Sequence, residues 1–157
     1  MPERARPILV VEDSPEDFEA TRRSLQRGGL LHPLVHVGNG DEALDYLFRR
    51  GHFARDRTPR PRLILLDLNL PGTDGREVLA SIKADDDLRQ IPVIVFSTSR
   101  DHRDVEACYR AGANSYMLKP GSVAELANVI LRLKQYWFDA VVLPAPALSG
   151  AATAEPR

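Results

Sequence analysis

Short apolar runs alternate along this chain with segments in which apolar residues recur every three or four positions. Five runs rich in valine, isoleucine and leucine are bounded by turn residues, which is typical of buried strands. They lie at residues 8–11, 34–37, 62–67, 93–96 and 115–118. The helical pattern predicts helices at residues 15–27, 41–50, from 74 or 75 to 84, 101–110 and 123–138. This alternation predicts an α/β fold, a parallel sheet with helices on both faces.

Local signals mark several of these boundaries. Ser14 is a candidate N-cap with Pro15 at the first helical position, and the glycines at 28–29 end that helix. Ser122 and Glu125 have the spacing of a capping box at the start of the last helix. The polar, basic segment 51–61 has neither periodicity and is predicted to be a loop.

Length and charge exclude some classes of function. A chain of 157 residues is the size of one domain, and its net charge of -1 gives no general attraction to nucleic acid or to anionic membranes. No apolar stretch is long enough to cross a bilayer, and the first residues lack a signal-peptide core. We therefore expect a cytoplasmic protein with neither nucleic acid nor membrane as a partner.

Polar, chemically competent side chains follow four of the five predicted strands. The first strand ends in Glu12-Asp13, the third in Asp67, the fourth in Ser97 and the fifth in Lys119-Pro120. Because the carboxyl ends of parallel strands meet at one edge of a sheet, where open α/β sheets bind ligands, these groups are expected to share a pocket.

In this order, the motifs resemble those of the receiver domain of two-component response regulators. The pattern is an acidic pair, an aspartate followed by Leu-Pro-Gly and Asp-Gly, a Ser/Thr, and Lys-Pro, each at a strand end. The resemblance implies a flavodoxin-like doubly wound five-stranded parallel sheet, in the order 2-1-3-4-5, with helices on both faces. It covers residues 7–143, with 1–6 as an N-terminal extension and 144–157, rich in Ala and Pro, expected to be a disordered tail.

The resemblance is narrower to single-domain regulators of phytochrome-linked histidine kinases. The features that carry it are the long loop before the third strand and the apolar ending from Tyr136 to Pro144. It implies a stand-alone, non-enzymatic regulator whose partner is a sensor histidine kinase, with a bacteriophytochrome as one candidate.

The side chains themselves suggest phosphoryl transfer to Asp67. An aspartate is ionised at neutral pH, so it needs no general base to attack phosphorus. Each like-charge carboxylate pair at about 4 Å costs roughly 4 kcal/mol at an effective dielectric constant of 20, so a divalent cation is required. Oxygen ligands suit Mg²⁺. In the receiver pattern Asp13 and Asp67 bind the ion directly, the Asn69 main-chain carbonyl adds a ligand, and Glu12 acts mainly through water.

The same resemblance assigns roles to three further residues. Lys119 contacts the phosphoryl oxygens, and the Lys119-Pro120 bond is expected to be cis so that the ammonium points inward. The hydroxyl of Ser97 and the ring of Tyr116 form the output switch.

Several alternatives remain open at this level. A one-residue misalignment would place the Ser/Thr position of the motif at Thr98 instead of Ser97. Tyr116 can be an ordinary strand residue. Asn69 and Ser99 match the variable positions that tune phosphoryl lifetime in receivers, yet both also suit simple turns. The segment 38–43 imitates a dinucleotide fingerprint, but it follows the second strand and leaves the acidic residues unexplained.

Two other functions compete with signalling. A phosphatase or phosphotransferase of the haloacid-dehalogenase type also forms an aspartyl phosphate, but its second aspartate, the general acid, is Asn69 here. A phosphorylation-independent receiver scaffold would have no need for the full set of charged residues.

The apolar end of the chain suggests self-association. Tyr136, Trp137, Phe138 and Val141 offer more apolar surface than one five-stranded sheet is expected to cover. The sequence therefore predicts a two-fold homodimer through the fourth helix, the fifth strand and the last helix.

Overall fold

Residues 5–145 are described by the computed structural model, in which five strands and five helices alternate. The strands are β1 (Ile8–Val11), β2 (Leu34–Val37), β3 (Leu63–Leu66), β4 (Val93–Ser97) and β5 (Ser115–Leu118). The helices are α1 (Pro15–Arg27), α2 (Gly40–Phe48), α3 (Gly75–Ala84), α4 (His102–Arg110) and α5 (Val123–Lys134), which continues as a π-helical turn, Gln135–Ala140. Two 3₁₀ turns lie at Gly51–Phe53 and Leu88–Gln90.

All strands pair in parallel in the order β2-β1-β3-β4-β5, which confirms the predicted fold class. Alternate side chains of each central strand enter separate cores, so Leu9 and Val11 pack with α2 and α3, while Ile8 and Val10 pack with α1 and α5. Because both faces of the sheet are buried, the central strands are apolar at every position instead of every second one.

Helix boundaries follow local chemistry. The side chain of Ser14 accepts a hydrogen bond from Asp17 N and caps α1, and the side chain of Ser122 accepts one from Glu125 N and caps α5, as predicted. The helix predicted over 41–50 ends earlier, at Phe48, because Arg49 adopts a left-handed conformation (φ 54°). Its guanidinium then donates to the carbonyls of Asp56 and Thr58 and holds the long loop.

Glycines allow two loops to approach the site closely. A Cβ on Gly75 would lie 2.3 Å from the carbonyl oxygen of Asp67, so only glycine lets α3 begin against that backbone. A Cβ on Gly40 would lie 1.8 Å from the carbonyl oxygen of Thr73. The segment 38–43 therefore packs against the β3–α3 loop. This contact supports a structural role for its glycines and not a dinucleotide-binding site.

The C-terminal segment folds back onto the domain instead of standing free. Trp137 and Phe138 are partly buried against the core that contains α1 and α5, and Leu143 is buried. Arg6 fixes this segment by donating to the carbonyls of Pro144 (3.1 Å), Pro61 (2.9 Å) and Arg60 (3.1 Å). The predicted disorder of the tail falls mainly on residues 146–157, which lie outside the described part of the chain. No helix within residues 5–145 is long and apolar enough to span a membrane.

Candidate functional site

The predicted acidic residues and the lysine converge at the carboxyl edge of the sheet. β1 delivers Glu12 and Asp13, β3 delivers Asp67, and β5 delivers Lys119, all immediately after their last strand residues. Parallel register aligns Val11 with Leu66, so the residues that follow these positions are neighbours. The predicted cluster is therefore present in the fold.

Asp67 is buried and held from both sides. Its main-chain N donates to the carbonyl of Val11 (3.1 Å), and its Oδ1 accepts a hydrogen bond from the main-chain N of Leu68 (2.7 Å). Its Oδ2 accepts one from Lys119 Nζ (3.0 Å). One carboxylate oxygen is thus fixed by the backbone, and the other faces the ammonium group.

Lys119 Nζ donates to three carboxylates and is only 6% exposed. The distances are 2.7 Å to Glu12, 3.0 Å to Asp67 and 3.2 Å to Asp17. Burial alone would lower the pKa of Lys119, but its hydrogen bond to Glu12 and its attraction to Asp67 outweigh burial and raise the pKa. The side chain is therefore a permanent positive charge at neutral pH.

The Lys119-Pro120 peptide bond is trans, so the expectation of a cis bond is wrong. The ammonium reaches the acidic residues with the trans bond because Lys119 N donates to the carbonyl of Ser97 (2.8 Å) and fixes the start of the turn.

Glu12, Asp13 and Asp67 form a cluster of oxygen ligands. One carboxylate oxygen from each lies within 4.8 Å of the others, with Asp13 exposed and the other two buried. Burial raises the pKa of Glu12, against the opposing effect of its hydrogen bond from Lys119. Such a set of hard oxygen donors fits a divalent cation of the Mg²⁺ type. The acidic cluster can therefore bind the expected ion.

Asn69 lies exposed in a tight turn two residues after Asp67. The turn is closed by a hydrogen bond from the main-chain N of Leu70 to the carbonyl of Leu68 (3.0 Å). The role of the Asn69 carbonyl as a metal ligand stays a prediction.

Ser97 and Tyr116 are connected through Ser99. The Ser97 side chain is fully buried, whereas Thr98 is exposed, which favours Ser97 as the residue beside the cleft. Ser97 Oγ accepts a hydrogen bond from the main-chain N of Ser99 (3.2 Å), and the hydroxyl of Tyr116 donates to the carbonyl of Ser99 (2.8 Å). Tyr116 is thus tied to the β4–α4 loop, although its part in a switch stays a prediction.

Asp17 is a member of the site that sequence reasoning missed. It lies on the first turn of α1, with its side chain 39% exposed, and contacts Lys119 from the solvent side. The signal that could have found it is its place in the first turn of the helix that begins directly after Glu12 and Asp13.

The residues predicted for a dimer interface divide into two groups. Tyr136 is 59% exposed, whereas Trp137 and Phe138 pack against the protein's own core. Phe138 stands 5.4 Å from the ring of His32 and so faces the α1–β2 loop instead of α4. Val141 is partly buried.

Comparison with known proteins gives consistent matches over most of the chain. The family profile described as "Response regulator receiver domain" matches residues 8–131. The response regulator Rcp1 of Synechocystis sp. is 41% identical over 138 residues, which cover 88% of this chain and 92% of Rcp1.

Two solved structures extend the likeness to three dimensions. The Mn²⁺-bound form of Rcp1 has a TM-score of 0.84 and 40% identity, covering 89% of this chain and 99% of its own. The phosphorylated cyanobacterial phytochrome response regulator RcpA also has a TM-score of 0.84, with 38% identity and coverage of 90% and 99%.

Proposed function

The chain belongs to the response regulator receiver family, and on that basis we propose that its Asp67 accepts a phosphoryl group from the phosphohistidine of a sensor histidine kinase. The observation that carries the proposal is the position of Asp67. It lies within a cluster of three carboxylates, and its Oδ2 is 3.0 Å from the ammonium of Lys119. Membership also identifies the chain as a signalling protein.

In the proposed reaction, a carboxylate oxygen of Asp67 attacks the phosphorus in line with the leaving imidazole. A bond forms between this oxygen and phosphorus while the phosphorus–nitrogen bond of the phosphohistidine breaks, and the imidazole nitrogen keeps the electron pair. Lys119 is already in contact with Asp67 and can donate to an oxygen of the transferred group. Its positive charge then stabilises the negative charge of the transition state.

Asp13, Asp67 and Glu12 would hold a divalent cation, with the carbonyl of Asn69 as a further proposed ligand. When bound, Mg²⁺ would offset the mutual repulsion of these carboxylates and the charge of the phosphoryl oxygens. The Mn²⁺-bound form of the related Rcp1 supports this assignment.

Output is proposed to depend on Ser97 and Tyr116. A hydrogen bond from the Ser97 hydroxyl to the phosphoryl group would contribute about 1.5–3 kcal/mol, whereas turning a 1:99 equilibrium into 99:1 requires about 5.5 kcal/mol. Ser97 alone is therefore insufficient. We expect a graded population shift in which Lys119, the cation and partner binding share the bias.

We propose signalling without catalytic turnover of other substrates. Asn69 cannot deliver a proton to a leaving alcohol, which disfavours a phosphatase acting on monoesters. The converging charged residues disfavour a phosphorylation-independent scaffold. Receivers work with histidine kinases, and the likeness to the phytochrome regulator RcpA makes a bacteriophytochrome the favoured candidate for the donor. A cytoplasmic location stays a prediction.

We also propose a homodimer through the face formed by α4, β5 and α5. Exposed apolar side chains on all three elements support it: Tyr109 on α4, Leu118 on β5 and Val123 on α5. Sedimentation equilibrium at tens of micromolar, with and without beryllofluoride, tests the proposal. A monomer under both conditions would remove it.

Treatment with acetyl phosphate and Mg²⁺, followed by intact-mass analysis, tests the phosphoacceptor. We expect the parent protein to gain one phosphoryl group and Asp67→Asn to gain none. Asp86→Asn is a matched control, because Asp86 is 95% exposed and distant in sequence from the cluster. Equal labelling of the parent and Asp67→Asn would move the acceptor to another residue, and no labelling of either would favour the scaffold.

A further inference from the structure

Ser99 joins three structural elements through hydrogen bonds from its polar groups. Its main-chain N donates to Ser97 Oγ (3.2 Å), and its carbonyl accepts from the hydroxyl of Tyr116 (2.8 Å). Its own hydroxyl donates to Asp104 Oδ2 on α4 (2.6 Å). The position of the β4–α4 loop therefore depends on where the carboxylate of Asp104 is held.

Arg76 on the first turn of α3 holds that carboxylate. Its Nη2 and Nε donate to Asp104 Oδ1 at 2.8 and 3.1 Å. Its Nη1 donates to both oxygens of Asp74, the N-cap of α3, at 3.1 and 3.2 Å. Arg76 thus holds Oδ1 and Ser99 holds Oδ2, so both oxygens of the Asp104 carboxylate are fixed. The hydrogen bond from Ser99 and those from Arg76 also lower the pKa of Asp104, so it stays ionised at neutral pH.

This arrangement determines what the Ser97 hydroxyl can do. A serine hydroxyl has one hydrogen to donate and two lone pairs that accept. Because the main-chain N of Ser99 donates to one lone pair of Ser97 Oγ, the directions in which the Ser97 hydroxyl hydrogen can point are restricted. Movement of Ser99 would release that constraint and let the hydroxyl rotate.

We propose that Asp104 and Arg76 are positioning residues for phosphoryl transfer, acting through Ser99 to keep the Ser97 hydroxyl oriented for an oxygen of the group received by Asp67. The proposal rests on the proposed function of Asp67 and adds two residues that lie 9 and 37 positions after it in the sequence. Neither residue touches the reacting atoms. They lie on α3 and α4, so their contact also ties the loop that carries Ser99 to two helices.

The test compares initial rates of phosphorylation by acetyl phosphate at saturating Mg²⁺. Asp104→Asn keeps the shape of the side chain but weakens its bonds to Ser99 and Arg76. We expect a rate about five-fold lower, because loosening Ser99 weakens the Ser97 hydrogen bond, whose complete loss would cost about tenfold or more. The Mg²⁺ dissociation constant, measured by calorimetry, should stay unchanged.

Three variants separate positioning from general effects. Asp101→Asn removes the same charge from the start of α4, and asparagine remains a good N-cap, so its rate should equal that of the parent. Ser99→Ala should be as slow as Asp104→Asn, and the double variant no slower than either one. In a Ser97→Ala background, Asp104→Asn should have no further effect.

The outcomes distinguish this inference from the proposed function. Equal phosphorylation rates for the parent and Asp104→Asn would overturn the inference. They would leave the proposed role of Asp67 unaffected. The inference would also be overturned if Asp101→Asn slowed the reaction as much as Asp104→Asn does. The same holds if Asp104→Asn still slowed it five-fold in the Ser97→Ala background. Either result would indicate a simple charge effect instead of positioning. A parent that takes no label would overturn both.

Discussion

Without Mg²⁺, the Asp13→Asn variant should be more stable than the parent protein. At saturating Mg²⁺, the variant should be less stable than the parent. The carboxylate of Asp13 lies within 4.8 Å of those of Glu12 and Asp67. Lys119 forms ion pairs with those two, whereas the described residues place no lysine or arginine within ion-pair distance of Asp13. Its charge therefore meets mainly repulsion until a cation binds.

The magnitude follows from the separation of the carboxylates. At the upper limit of 4.8 Å for these separations, two unit charges repel by about 0.9 kcal/mol in water and by about 3.5 kcal/mol at an effective dielectric constant of 20. Asp13 is exposed and Lys119 offsets part of the field, so we expect a gain of about 1–2 kcal/mol, or roughly 2–8 °C in Tm for a chain of this length. Mg²⁺ at a hundred times its Kd would stabilise the parent by about 2.7 kcal/mol, and the variant by far less.

Thermal and urea unfolding in EDTA and in saturating Mg²⁺ provide the assay. The order of stability should reverse between the two conditions for Asp13→Asn. It should stay the same for Asp86→Asn, which removes an equal charge at a position that is 95% exposed. A variant less stable than the parent in EDTA would show that Asp13 makes a net attractive interaction, and the electrostatic reasoning would be wrong.

Three further predictions concern single residues. Arg6→Ala should lower the free energy of unfolding in urea by about 2–4 kcal/mol, because three carbonyls lose charge-assisted donors; an effect below 0.5 kcal/mol would contradict this role. Burial lowers the pKa of His32, so the unfolded state binds its proton more readily and the stability present above pH 6.5 is lost as the pH falls. Urea unfolding at pH 7 and 5.5 should show a smaller loss for His32→Gln than for the parent, and equal losses would refute it. Asp17→Asn should weaken Mg²⁺ binding about two- to threefold by calorimetry, because the site loses a negative charge and Lys119 then pairs only with Glu12 and Asp67. Glu16→Gln, on the same turn, should leave the affinity unchanged. Equal affinities for the parent and both variants would contradict this role of Asp17.

The hydrophobic pattern predicted the fold because each strand-like run is followed in the sequence by a segment with a helical pattern. β1 and β3 are apolar at every position and end at once in acidic residues, so both their burial and their direction could be inferred. The early end of α2 could not, because it depends on a left-handed Arg49 whose side chain satisfies carbonyls seven and nine residues further along. Residue propensities for helix do not predict such a contact.

The acidic residues and the lysine were predictable because strand ends fix backbone position, and backbone position fixes the edge of the sheet. Asp17 was missed because its place in the site depends on the direction of a helical side chain toward a lysine 102 residues away. The same limit applies to Asp104 and Arg76, since their partners become neighbours only after α3 and α4 have packed on the sheet.

The apolar end of the chain shows how composition can overestimate exposed apolar surface. Counting Trp137 and Phe138 as surplus surface assumes that the last helix runs straight past the sheet. The π-helical turn instead carries them toward α1, where Phe138 meets His32, and Arg6 holds the segment that follows through the carbonyl of Pro144. The proposed dimer on the α4–β5–α5 face would therefore gain its apolar area mainly from side chains such as Tyr109 and Val123, and less from the partly buried rings of Trp137 and Phe138. Its interface would then be small and its stability sensitive to protein concentration.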